Sequence, residues 1–297
     1  MRNKRFVAAV LIPVFTFLLV FSVLPIFLGL GISLFHYIPL NKTQPFVGLS
    51  NITKLFSDKV FLVALQNTLI FVGITVVLNI VITLLLAQAI SSMRRAWMRS
   101  FLRVIFFLPC VAPLVASSVV WRGMYDLQFG LFNNILQALF GTPPHNWLGT
   151  VATLMPSIIL FTLWADIGYN IIIFSAAIDG IPSDMIEAST IDGAGRIKRF
   201  TRVTLPMMGR ATSFVIAMTL ISHFQMFAQF MVFNRASGPV SGGPNNAGMV
   251  LTLYVYKTAF TGTKDMGYGA AISLALFVII MVFTAIQQRL NRVDWGY

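Results

Sequence analysis

Charge is scarce in this chain: Asp, Glu, Lys and Arg make up 10% of its 297 residues, with only 9 acidic residues in all. About a quarter is usual for a soluble domain, so water is not the solvent for most of this surface. Cysteine is almost missing. Cys110 stands alone beside Pro109, which excludes an intrachain disulfide and any cysteine-rich metal site and leaves it a packing role. The G-x-x-x-x-G-K-[ST] phosphate loop is absent, so the chain has no such loop with which to hydrolyse a nucleotide. No cluster of His and Cys, no paired carboxylates and no nucleophile elbow stand out, which disfavours a membrane-embedded enzyme. His223 has no second good ligand near it in sequence for a metal ion.

What is abundant is apolar sequence, 57% of the chain. A bilayer span needs about 20 such residues. Runs of that length cover about 6–35, 61–90, 101–121, 151–178, 207–234 and 266–287. The first follows Arg2, Lys4 and Arg5, yet it is far longer than the core of a secretory signal and no clear small-residue cleavage site follows. It is therefore expected to remain as a span. Pro13 and Pro25 are expected to bend it, and Pro109 and Pro113 to act as packing kinks in the third run. The stretch 127–140 is too short to span and is expected at the interface, with Trp121, Tyr125 and Trp147 at headgroup level.

A formal net charge of +12 would suit a nucleic-acid partner if the basic residues shared one surface. They lie instead in short clusters between apolar runs, the distribution of membrane loops. Six spans put both termini on one side. The two terminal segments with the second and fourth loops hold fourteen of the 21 Lys and Arg, against seven in the other three loops. The excess of positive charge places the termini and the loop 181–206 in the cytoplasm.

That loop contains EASTIDGAGRIKRFTRVTLP at 187–206, polar and basic between two long apolar runs. Pro182, Ser183 and Asp184 signal a helix start, so a short helix is expected over 184–190. Gly193 and Gly195 interrupt it, because glycine supplies the backbone angles of a sharp bend. A second short helix is expected from Arg196, carrying Lys198, Arg199 and Arg202, until Pro206 closes the loop. On charge alone this would be a solvated loop that fixes orientation. The spacing carries more. Glu187-Ala188-Ser189, then Asp192-Gly193-Ala194, then Val203-Thr204-Leu205-Pro206 resembles the EAA loop of bacterial ABC-type import permeases, the element that docks on the ATP-binding subunit. The family pattern has Ala where this chain has Ser189 and commonly Ile where it has Val203, both conservative departures.

Further segments carry the same likeness. Phe46-Val47-Gly48-Leu49-Ser50-Asn51, Gln66-Asn67-Thr68, Gly238-Pro239 with Ser241-Gly242-Gly243-Pro244, the run 253–260 and Gly267-Tyr268-Gly269-Ala270-Ala271 resemble carbohydrate ABC permeases. With the loop they cover most of residues 45–271. The likeness is to the first permease of a sugar pair, a group that includes maltose-type and glycerol-phosphate-type permeases. It implies an all-α membrane protein of six transmembrane helices with a cytoplasmic EAA coupling-helix loop, the type I ABC importer permease fold. In that scheme residues 1–60 form the N-terminal span and outer connection, 61–288 the permease core with coupling loop 181–206, and 289–297 a cytoplasmic tail. Glu187, Ala188, Ser189, Asp192, Gly193, Ala194, Leu205 and Pro206 would dock on the ATPase subunit. The resemblance further implies a second homologous permease, two ATP-binding subunits that carry ATP and Mg, an extracytoplasmic substrate-binding protein, a carbohydrate substrate and surrounding lipid. No cofactor in this chain and no nucleic acid is expected, and the place of such a subunit is the bacterial cell membrane.

Polar side chains at membrane depth are costly, so they mark function or interhelical hydrogen bonds. The fourth run carries Trp164, Asp166, Tyr169 and Asn170. The fifth carries Thr219, Ser222, His223 and Met226, whose spacing puts them on one helical face, with Gln225 and Gln229 elsewhere on it. Hydroxyl and amide groups among Tyr169, Phe224 and Phe227 suit a neutral sugar. The resemblance puts the maltose-type pocket on the helices before and after the EAA loop. Counted from Glu187, Tyr169 matches a pocket tyrosine, and Thr219, Ser222, His223 and Met226 fall on pocket positions without repeating the maltose set. Asp166, if ionised, would discourage an anion. Two other readings stay open: a permease for a non-sugar solute such as glycerol phosphate, and a secondary transporter with Asp166 as its ion-binding carboxylate.

Overall fold

The computed structural model describes residues 4–39, 41–234 and 240–290, and among them the chain is helical with no named strand. Helix α1 (Lys4–Leu18) passes through a π turn (Leu19–Val23) into α2 (Leu24–Ser33), and a short α3 (Ser50–Leu55) precedes the long α4 (Lys59–Ser91). Next come α5 (Ala96–Val111), α6 (Leu114–Met124), α7 (Leu131–Phe140) and α8 (Val151–Asp179). The loop carries α9 (Ser183–Ile191), α10 (Arg196–Arg199), a π turn (Phe200–Thr204) and α11 (Leu205–Met207). Helices α12 (Gly209–Phe224), α13 (Ala228–Phe233), α14 (Leu251–Tyr256) and α15 (Met266–Leu290) complete the described chain. Arg2, Gly238, Pro239 and the tail from residue 291 lie outside the described residues.

Among the described residues five helices are long and apolar enough to cross a membrane, and α5 with α6, bent by 95°, counts as a sixth where the pair is one span. The expected packing kink in the third run is thus a break. Pro113 has no N–H to continue the ladder, and its ring drives Ala112 out of the helical region to ψ 139°. Pro109, by contrast, is carried inside α5, and Pro25 sits in the first turn of α2, where its missing donor is no loss. The fifth run is also interrupted: α12 ends at Phe224, and Phe227 at φ −134° separates it from α13. Met226 therefore lies in a break and does not share a helical face with Thr219, Ser222 and His223.

The chain forms two compact units, one from residues up to Leu62 with Leu251–Val278, the other from Val63–Val250 with the chain from Ile279 on. Residues 251–278 thus gather with the N-terminal segment. In the first unit, Asn51 Nδ2 donates to the carbonyls of Ser33 (2.8 Å) and Phe35 (3.0 Å), fixing α3 at the end of α2. Asp58 accepts the Val60 N–H (2.8 Å) at the start of α4 and also the hydroxyls of Tyr254 and Tyr268. Asp265 caps α15 through the Tyr268 N–H (3.0 Å) and pairs with His36 Nδ1 (2.9 Å). Asp58 and Asp265 satisfy N–H donors at helix starts, and Asn51 satisfies carbonyl acceptors at a helix end, groups that have no partner within their own helices.

In the second unit α8 is central, with Leu154, Ile158, Phe161, Ile171 and Phe174 wholly buried. Its approach to α5 depends on Gly168, where an added methyl would sit 2.0 Å from the Phe106 carbonyl oxygen. Trp121 and Tyr125 are buried (8% and 4% exposed) in an aromatic cluster with Phe132, Phe161 and Phe233, so they are core residues here and not the headgroup belt expected. The Tyr125 hydroxyl donates to the Ser157 carbonyl (3.0 Å), which makes its burial tolerable. Helix α7 closes on Gly141 at φ +64°, and Asn133 ties it to the chain at His145 and Trp147.

Candidate functional site

Two features of the second unit stand apart from its packing: a cavity and the polar loop 181–206.

The cavity, about 640 Å³, is lined by residues at both helix breaks and by one face of α8. Pro109, Cys110, Ala112 and Leu114 come from the first break, and Gln225 to Gln229 from the second. Interrupted helices are tolerated at membrane depth where the freed backbone borders a cavity or packed protein, which accounts for both breaks meeting here. From α8 come Thr162, Ala165, Asp166 and Tyr169, positions that recur on one helical face.

Behind this wall runs a buried polar network. His223, 1% exposed, has Nε2 3.0 Å from Asp166 Oδ2 and Nδ1 2.8 Å from Thr75 Oγ1. Asn79 donates to Asp166 Oδ2 (3.3 Å), and Asn170 donates to Asn79 Oδ1 (2.7 Å) and Thr219 Oγ1 (3.0 Å). Of the substrate residues expected from sequence, Tyr169, Ser222 and Met226 line the cavity. Thr219 and His223 are buried in the network and reach it only through Asn170 and Asp166.

Sequence reasoning missed Thr162 and the α4 contributors, and it set Gln229 on a different face from the expected substrate residues. Gln229 is 1% exposed and neither side-chain atom has a partner; Thr162 Oγ1 is in the same state at 2% exposure. A buried unpaired polar group costs about 1–3 kcal/mol, a cost offset by an ordered water or by a turn of the side chain. On α4, Thr68, Thr75, Asn79 and Thr83 are all buried and recur at helical spacing, a signal that could have been found.

The loop forms an elbow. Pro182 caps α9 with extended backbone, and Asp184 lies in its first turn, where the helix dipole favours an acid. Gly193 takes φ +74° and ends the helix, with its N–H bonded to the Thr190 carbonyl (3.0 Å) and Ala194 N–H to Ser189 (2.9 Å). The helix after Gly195 runs from Arg196 through the π turn Phe200–Thr204 to Met207 without leaving helical backbone, so it carries Lys198, Arg199 and Arg202 to Pro206 as expected. Ser189 is buried and its hydroxyl donates to the Ile186 carbonyl (2.7 Å), so a serine occupies a site sized for alanine without an unpaired group. Glu187, Ala188, Asp192, Gly193 and Pro206 are exposed, while Ala194 and Leu205 are half-buried. Ile191 and Ile197, 87% and 81% exposed, stand on either side of the bend, an apolar pair at the tip of a polar loop. The root is tied by Arg103, which bonds Asp179 Oδ2 (2.8 Å) and Ser91 Oγ (3.2 Å) and so joins the ends of α4 and α8 to α5.

The sequence family described as "Binding-protein-dependent transport system inner membrane component" matches residues 79–293. The chain belongs to this family. The trehalose/maltose transport system permease protein MalF of Thermococcus litoralis is 30% identical to this permease over 98% of the chain and 95% of its own length. The sn-glycerol-3-phosphate transport system permease protein UgpA of Yersinia pestis is 32% identical over 84% of this permease and 82% of its own length. A crystal structure of a bacterial alginate ABC transporter in complex with an alginate pentasaccharide-bound periplasmic protein contains a chain of the same fold, with TM-score 0.85 over 98% of this permease and 95% of that chain at 22% identity. The all-helical importer fold expected from the polar loop and the spans is therefore the fold of this permease.

Proposed function

We propose that the permease is the transmembrane subunit of an ATP-driven importer for a sugar or oligosaccharide, and that a second homologous permease completes its path. The observation that carries this reading is the cavity: two broken helices and α8 enclose about 640 Å³, within the usual range of about 300–1,000 Å³ for small-molecule sites. Asp166, Tyr169, Ser222 and Gln225 bring carboxyl, hydroxyl and amide groups to its wall, as a site for a polyhydroxylated solute requires. The trehalose/maltose relative supports that substrate class.

In this reading the elbow is the handle by which work enters. Two ATP-binding subunits, holding ATP and Mg, grip one elbow from each permease, and their closure rocks the helices around the cavity. Glu187, exposed near the start of α9, and the Ile191 and Ile197 pair meet the ATPase surface; Gly193 allows the bend that presents them. A substrate-binding protein delivers the solute from outside, and both termini face the cytoplasm. The glycerol-3-phosphate relative favours a second reading, the same machine carrying a phosphorylated polyol.

The test is reconstitution of the permease with its partner permease, ATPase and binding protein in liposomes. Uptake of a labelled sugar that requires ATP inside the ATPase-accessible compartment supports the reading. Uptake by the permease alone, driven by an ion gradient, contradicts it.

A further inference from the structure

We infer that Asp166 sets the substrate class of the cavity, accepting hydrogen bonds from a neutral polyhydroxylated solute and turning away anions. The inference rests on the reading above that this cavity is the substrate site.

Asp166 is held from behind by two side chains. His223 Nε2 lies 3.0 Å from Asp166 Oδ2, and its Nδ1 lies 2.8 Å from Thr75 Oγ1 on α4. Asn79 donates to the same carboxyl oxygen (3.3 Å). Both contacts fall on Oδ2, so the carboxyl is fixed in place while Oδ1 is left over for another donor.

Among the described residues that line the cavity, none is Lys or Arg. An anion entering would find no countercharge and would meet the Asp166 carboxyl, 33% exposed, in surroundings of low polarity. A sugar hydroxyl meets a different environment. Among the described residues the second carboxyl oxygen, Oδ1, accepts no protein hydrogen bond, and Tyr169 brings a hydroxyl to the same face of α8. Ser222 brings a second hydroxyl to the cavity and Gln225 an amide that both donates and accepts. Neighbouring hydroxyls, each both donor and acceptor, can satisfy this mixed set, whereas a phosphate offers it almost only acceptors.

Cys110 lines the cavity and is the sole cysteine, so its alkylation reports occupancy without the binding protein. The experiment measures N-ethylmaleimide labelling of Cys110 in the purified assembled transporter against increasing trehalose, maltose, lactose or glycerol 3-phosphate. The expected result is protection by at least one neutral disaccharide and none by glycerol 3-phosphate at the same concentrations. Asp166→Asn should raise the half-protecting sugar concentration roughly 10-fold, since the amide offers the sugar hydroxyls one acceptor fewer. Asp166→Glu, which keeps the carboxyl, should retain the discrimination against glycerol 3-phosphate. Preferential protection by glycerol 3-phosphate, or an Asp166→Asn variant with unchanged sugar protection, overturns the inference and leaves the cavity as the substrate site. Absence of protection by any of the four compounds overturns the reading on which it rests.

Discussion

Asp58 shows how one carboxylate can organise an outer connection. Burial works against its ionised form, but the hydrogen bonds from Tyr254, Tyr268 and the Phe61 and Val60 N–H groups prevail and hold its carboxyl below the ordinary value. A lowered native value means the carboxylate contributes stability above the unfolded value, about 3.9, and that this contribution is lost as pH falls through the native one. Asp58→Ala is expected to cost about 1 kcal/mol, the usual worth of a helix cap. Thermal melts of permease in lipid discs at falling pH check it: the gap between wild type and variant should be full near neutrality and shrink in acid. A gap that does not depend on pH would leave the carboxylate without its assigned part. At the elbow, the left-handed angle of Gly193 makes a second demand of a single residue, since open space surrounds it and only the backbone is restrictive. Gly193→Val should abolish coupled uptake while the protein still inserts, and Gly193→Asn, which tolerates that angle better, should retain more of it. Equal uptake by the two variants would mean the angle is irrelevant.

Among the elements, α5 and α8 are the pair on which the cavity depends. Gly168→Ala drives a methyl into the Phe106 carbonyl, and such overpacking costs about 1–3 kcal/mol. Lower thermal stability together with slower uptake is expected; a neutral variant would mean the helices part easily. The spans themselves were legible because periodic breaks in long apolar runs are the strongest signal in a membrane sequence. The elbow's first helix was legible from Pro182 to Gly193 for reasons of capping and turn chemistry. Pro113 was visible as well, but nothing local tells a kink from a 95° break, which depends on where α6 packs. The break at 225–227 was illegible: it holds neither glycine nor proline, and it forms because α13 buries Phe230 and Phe233 while packing on α6. That tertiary demand also explains why Gln229 was placed on the wrong side of a straight helix, and why Trp121 and Tyr125 were read as interfacial. The Asp166, His223 and Thr75 chain draws on three helices distant in sequence, so single-chain periodicity could suggest its members but not their contact.

On the scale of the whole molecule, the permease leaves much unfinished. Phe6, Phe15, Phe21 and Phe27 are each more than half exposed on an all-round apolar helix, a surface that needs lipid or another membrane chain. Ile191 and Ile197 are apolar tips on a polar loop, which fits a socket in a soluble partner better than open water. Such a handle is what the proposed coupling to ATP-binding subunits requires. The most direct test replaces Ile191 with cysteine in a Cys110→Ser background and labels it with a membrane-impermeant maleimide. The account predicts labelling only from the cytoplasmic side in the permease without its ATPase, and loss of that labelling once the ATP-binding subunits are assembled. Labelling from the outer side, or undiminished labelling in the full complex, would contradict it.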